Sequence, residues 1–99
     1  MSLENTTYQP SESLMLRYQD LIRQMLLDLD VAVQERDLSV IEHITHKIAG
    51  NAGTYGFSSV GLIASELCQT VRAGNVAAID GLFSKLSLAA RSTILKTND

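Results

Sequence analysis

Four stretches of this chain place apolar residues at steps of three and four, and only a few residues separate one stretch from the next. At about 100° of rotation per residue, each stretch gathers its apolar side chains on one face of a helix. A face of that kind has to be buried against another element. In the first stretch, Ser13 to about Arg36, the stripe is Leu14, Tyr18, Leu21, Ile22, Met25, Leu29, Ala32 and Val33, uninterrupted by Gly or Pro. In the second, about Leu38 to Tyr55, it is Ile41, Ile44, Thr45, Ile48, Ala52 and Tyr55. The third, about Val60 to Ala73, offers Val60, Ile63, Ala64, Leu67 and Val71, with Cys68 at the edge. The fourth, about Val76 to Lys96, offers Val76, Ile79, Leu82, Phe83, Leu86, Ala90, Thr93 and Ile94. Short connections make neighbouring helices run in opposite directions, and no strand-like alternation competes. The sequence predicts an all-α, antiparallel up-down-up-down four-helix bundle.

The punctuation agrees with that division. Residues 1–12 are polar, hold the only proline (Pro10) and show no period, so they read as a loose or short-helical N-terminal arm ahead of a single domain over 13–97. Ser11 or Ser13 is placed to cap the first helix, Asp37 or Ser39 the second, and Ser58 or Ser59 the third. Gly56 and the Gly74-Asn75 pair are stop signals, and Phe57 enters the core beside the second break. Leu16, Leu27 and Val31 fall off the first stripe, as a surface covered by the arm or as a small apolar patch for a partner.

Composition narrows the function classes. A net charge of -3 with scattered Lys and Arg gives no basic stripe for nucleic acid. No apolar run approaches the roughly 18 residues of a membrane span, and the N-terminus lacks the basic-then-apolar pattern of a signal peptide. The single cysteine, Cys68, has no partner for an internal disulfide. It reads as a small buried hydrophobe in a reducing, cytoplasmic setting.

The outward face of the second helix carries the chemistry. Opposite its apolar stripe stand His46, Gly50 and Gly53, flanked by Ala49, where Glu, Lys, Arg or Gln would ordinarily keep a helix hydrated. A glycine in a helix interior costs roughly 1 kcal/mol relative to Ala, so two on one face ask for a reason. A bare surface that lets another molecule close over the imidazole supplies one. His43 lies three residues before His46, but a metal pair would need further ligands and the core stripe holds no Glu or Asp; His43 reads as an ordinary surface residue. His46 fits a nucleophile, because phosphoryl transfer rests chiefly on positioning and electrostatic help, which a partner can provide. No Gly-rich loop with Lys and Ser/Thr is present to cradle a nucleotide, so autonomous kinase activity is not expected.

The run H-K-I-A-G-N-A-G-T-Y-G-F, His46 to Phe57, resembles the signature of histidine-containing phosphotransfer (HPt) domains of multistep phosphorelays, and the likeness extends from about Leu14 to Leu95. The resemblance matches His46 to the phosphorylated histidine, Gly50 to the motif's glycine and Gly56 to the glycine that closes the helix. Ala49 stands where the pattern usually has a lysine that helps to balance the phosphoryl charge. Lys47 is no simple substitute, being about 100° round the helix from His46. Gln69, on the outer face of the third helix, is a candidate to reach the imidazole and fix its tautomer.

What the resemblance implies is a phosphoryl carrier. His46 accepts a phosphoryl group from an aspartyl-phosphate receiver domain and passes it to another receiver, attacking through Nε2 in the neutral form. Ala49, Gly50, Gly53, Lys47, Asn51, Leu62 and Gln69 form the expected docking surface. The expected partners are response-regulator receivers or a hybrid histidine kinase, met by a cytoplasmic monomer. It has no cofactor of its own, the Mg²⁺ belonging to the receiver. The alternative is a non-phosphorylated helical adaptor or inhibitor that docks on a histidine kinase or response regulator through the same surface.

Overall fold

The computed structural model describes residues 12–53 and 56–98, apart from the side chains of Glu12 and residues 93–98. It contains four α-helices: α1 (Glu12–Glu35), α2 (Leu38–Ala52), α3 (Ser58–Arg72) and α4 (Ile79–Asn98). They pack antiparallel around one apolar core, as the periodicity predicts. Residues 1–11 of the N-terminal arm, Ser11 included, Tyr55 and the side chains of Thr93 and Ile94 lie outside the described residues, and Glu12, expected in the arm, already belongs to α1.

Each helix buries the stripe its sequence spells out. Ile22, Leu29, Ile41, Ile48, Leu67, Ile79 and Leu86 are almost wholly removed from water, and full burial of such a side chain contributes about 1.5–3 kcal/mol. Three residues depart from that pattern. Leu21, expected in the stripe, is 45% exposed at its margin, whereas Gln19 is 1% exposed inside the core. Its amide finds no hydrogen-bond partner there. Val76 is 42% exposed because residues Val76–Ala78 form a single 3₁₀ turn before α4 begins at Ile79.

The helix ends explain the short connections. At the exit of α1 the N–H groups of Arg36 and Asp37 donate to the carbonyls of Val33 and Ala32. After α2 those of Gly56 and Phe57 donate to Gly53 and Ala52, and after α3 those of Gly74 and Asn75 donate to Val71 and Thr70. In each case a left-handed residue turns the chain out of the helix and satisfies its last carbonyls. Gly56 (φ +85) and Gly74 (φ +78) adopt that conformation without a Cβ to oppose it. Arg36 (φ +56) adopts it as a non-glycine and is held by Nη1 donating to the Val33 carbonyl (3.2 Å) and by a two-pronged ion pair with Asp80 on α4. That pair holds the Asp80 carboxyl below its ordinary range, the Arg36 hydrogen bond being the leading cause.

The caps are mixed. Asp37 caps α2, its side chain accepting from the Val40 N–H. Neither Ser58 nor Ser59 caps α3; Phe57 occupies the cap position without a side-chain hydrogen bond. Burial directs that outcome, since the Phe57 ring stacks on Tyr18 of α1 with centroids 5.1 Å apart and planes 9° from parallel. Ser13 lies within α1 rather than capping it.

The α2–α3 seam positions the site. A Cβ added to Gly61 on α3 would stand 3.3 Å from the Ala52 Cβ and 3.7 Å from the Ala49 carbonyl oxygen. Small residues at Ala49, Ala52 and Gly61 therefore let the two helices approach closely.

Candidate functional site

The two helices present facing stripes. On α2 these are Glu42, His46, Ala49 and Gly50, at steps of three and four; on α3 they are Ser65, Cys68, Gln69 and Arg72, in the same rhythm. Because the helices are antiparallel, Glu42 meets Arg72 at one end while Ala52 and Gly61 meet near the other. Between them lies an open depression of about 310 Å³ lined by His46, Ala49, Gly50, Ser65, Cys68, Gln69 and Arg72.

His46 is exposed on this surface, and Gly50 one turn further on is exposed as well. A Cβ added at Gly50 or at Gly53 would meet no heavy atom within 4 Å. Neither glycine is required by internal packing, and the space beside the imidazole is open on the side facing solvent. Beneath it, Thr45 is fully buried. Its hydroxyl donates to the carbonyls of Ile41 (2.8 Å) and Glu42 (3.2 Å), so a polar group on the core side of the helix is satisfied without reaching outward.

The expected docking residues separate into two sets. Ala49, Gly50 and Gln69 share the depression with His46. Gln69 makes no hydrogen bond to the imidazole among the described residues, so the expected tautomer clamp is not formed in this structure. Gly53, Lys47, Asn51 and Leu62 lie outside the depression and are exposed. The Asn51 Nδ2 donates to the Lys47 carbonyl (2.8 Å), and Leu62, 73% exposed, presents the most open large apolar side chain of the described surface. His43 is exposed and takes no part in the depression.

Sequence reasoning missed Glu42, Ser65, Cys68 and Arg72. Glu42 Oε2 accepts from Arg72 Nε at 2.8 Å, and the Cys68 Sγ points at the Glu42 carbonyl oxygen, 3.8 Å away. The Arg72 guanidinium is held above its ordinary range chiefly by that Glu42 hydrogen bond, with Cys68 and the Glu42 charge adding to it. A usable signal was present: Glu42 stands four residues from His46 and Arg72 three from Gln69, each within one face of its helix. Among the described residues no three His, Cys, Asp or Glu side chains converge to hold a metal ion, and no helix is long and apolar enough to cross a membrane.

The arrangement leaves the imidazole exposed, with open space one turn along at Gly50. Comparison with protein families matches residues 13–93 to the Hpt domain. No curated protein and no solved structure matches the chain.

Proposed function

The chain belongs to the Hpt domain family, and on that premise we propose that it carries a phosphoryl group on His46 between receiver domains. The family is one of phosphocarriers in phosphotransfer relays, generally not autonomous enzymes, that interact with receiver domains or kinases. The observation that carries the residue-level reading is the cleared surface: His46 is exposed and the Cβ position of Gly50, one turn away, meets nothing.

The chemistry is a displacement at phosphorus. The lone pair of the neutral His46 Nε2 attacks the phosphorus of an aspartyl phosphate on the receiver. The N–P bond forms as the P–O bond breaks, and the electron pair leaves with the receiver's carboxylate. The imidazole keeps its Nδ1 proton and gains one positive charge, so no base is consumed. A second receiver reverses the step, its aspartate attacking phosphorus and the pair returning to Nε2. Positioning and charge stabilisation dominate such transfers, and the receiver brings the Mg²⁺ and acidic residues that supply them. Ala49, Gly50 and Gln69 form the floor on which that active site settles, with Lys47, Asn51, Gly53 and Leu62 at its rim. The carrier works as a monomer in the cytoplasm.

The test follows a labelled phosphoryl group from a phosphorylated receiver. Wild-type protein is expected to gain acid-labile phosphate and His46→Gln none. Undiminished labelling of His46→Gln overturns the assignment. Tight binding of the receiver without any acid-labile phosphate on the wild type favours the adaptor reading instead.

A further inference from the structure

The depression around His46 contains one side chain of permanent positive charge among the described residues, and it comes from α3. On α2, Ala49 lines the depression without a charge, and Lys47 does not line it. Arg72 lies in the last turn of α3 and reaches the same hollow. Its Nε is spent on Glu42 Oε2, one helical turn before His46, and the guanidinium lines the same depression as the imidazole. Its remaining N–H donors, those of the two terminal amino groups, meet no acceptor among the described residues. The ion pair is open to solvent, with the Arg72 and Glu42 side chains 46% and 40% exposed, so an anion can reach the guanidinium without displacing Glu42.

We infer that Arg72 binds the phosphoryl oxygens while the group arrives at and rests on His46, with Glu42 holding the guanidinium in place. A guanidinium fixed through Nε still presents a planar pair of terminal donors, the geometry that suits phosphate. A phosphoryl group on an exposed imidazole carries close to two negative charges, and an adjacent cation draws the anionic group in as it leaves its donor and offsets its charge once it rests on the imidazole. Cys68 sits beneath this contact, its Sγ against the Glu42 carbonyl, and helps to fix the height of the Glu42 turn against α3. The inference rests on the phosphocarrier reading for its biological setting, but its test does not require a receiver.

The experiment uses phosphoramidate, a small-molecule phosphoryl donor, and in parallel a phosphorylated receiver, all in a His43→Gln background so that His46 is the imidazole labelled. Arg72→Gln is expected to slow uptake from both donors by about tenfold or more, the range that one charge-assisted hydrogen bond commands. It should also move the ³¹P resonance of the phosphohistidine and leave the helical circular dichroism unchanged. Arg72→Lys should restore part of the rate. Ala49→Lys added to Arg72→Gln should restore it further, because that position opens into the same hollow. Equal uptake by wild type and Arg72→Gln overturns the role of Arg72, whatever the receiver does. A loss that neither lysine reverses marks a purely structural effect and also overturns it. Arg72-dependent uptake from phosphoramidate, with no uptake from any receiver, supports Arg72 as the phosphoryl-binding cation while removing the relay reading.

Discussion

Two glycines on facing helices show how differently the same residue can serve one surface. At Gly61 a Cβ would press on the Ala52 Cβ at 3.3 Å, so glycine there allows α2 and α3 to approach. At Gly50, a short way along the other helix, a Cβ would meet nothing within 4 Å. The first glycine offsets its helical penalty through packing. The second has no packing to offset it, and what it leaves is space beside His46. Openness alone does not assign a function, since Gly81 on α4 is equally open. What singles out Gly50 is an exposed imidazole one turn away, with Gln69 and Arg72 facing it.

The largest effect should come from filling that space. Gly50→Gln is expected to reduce phosphoryl transfer from a receiver by about a hundredfold, since small misplacements of a reacting centre have consequences of that size. Its stability should stay level or rise by less than about 1 kcal/mol, because glutamine is the better helix former. Transfer kinetics and a denaturant midpoint on the same preparation check both halves. Unchanged transfer would show that the partner does not close over Gly50, and the contrast with Gly61 would lose its functional meaning.

Filling the seam should give the inverse result. Gly61→Leu forces side-chain and backbone shifts between α2 and α3, and overpacking of that kind destabilises by about 1–3 kcal/mol. The loss should appear as a lower denaturant midpoint. Transfer at temperatures where the protein remains folded should fall less than for Gly50→Gln, because the imidazole stays uncovered. A Gly61→Leu protein as stable as wild type would mean that the two helices can separate without penalty, and that their close approach does not fix the site.

The contrast also shows where the sequence was readable and where it was not. Periodicity placed Ile41, Ile48, Leu67, Ile79 and Leu86 in the core because burial of a helix face depends on spacing within that one helix. It cannot place Gln19, which a hydrophobic pattern passes over, and it predicts Leu21 and Val76 inside where both lie open. His46, Gly50 and Gln69 were legible as residues of unusual or outward faces. The pairing of Glu42 with Arg72 was not, because it depends on the rotation and stagger of two helices whose residues stand 30 apart in the chain. An arginine in the last turn of a helix reads as a solvated charge well placed against the helix dipole, and only the packing of α3 on α2 gives it an address beside His46. Gly61 carries no signal in the sequence for the same reason, since a glycine shows its use only when the neighbour that approaches it is known.

The smallest and most discriminating comparison is alanine at each position. Gly50→Ala adds a methyl group to an exposed helical site with no neighbour within 4 Å. The gain in helix propensity should therefore emerge almost undiminished, at about 0.5–1 kcal/mol. Gly61→Ala has the same intrinsic gain but must push the Ala52 Cβ away by a few tenths of an ångström from a 3.3 Å contact, so the two effects should nearly cancel. Paired chemical denaturation resolves a difference of this size when the slopes are equal. Equal stabilisation at both sites would mean that the seam yields freely and that Gly61 is not a spacer. A loss of stability at Gly50→Ala would mean that this glycine serves the fold after all. The expected outcome, a gain at Gly50 and none at Gly61, leaves a stabilising substitution that this sequence has not taken at a position beside His46, the proposed phosphoryl acceptor, which is the pattern expected where activity rather than folding holds the residue.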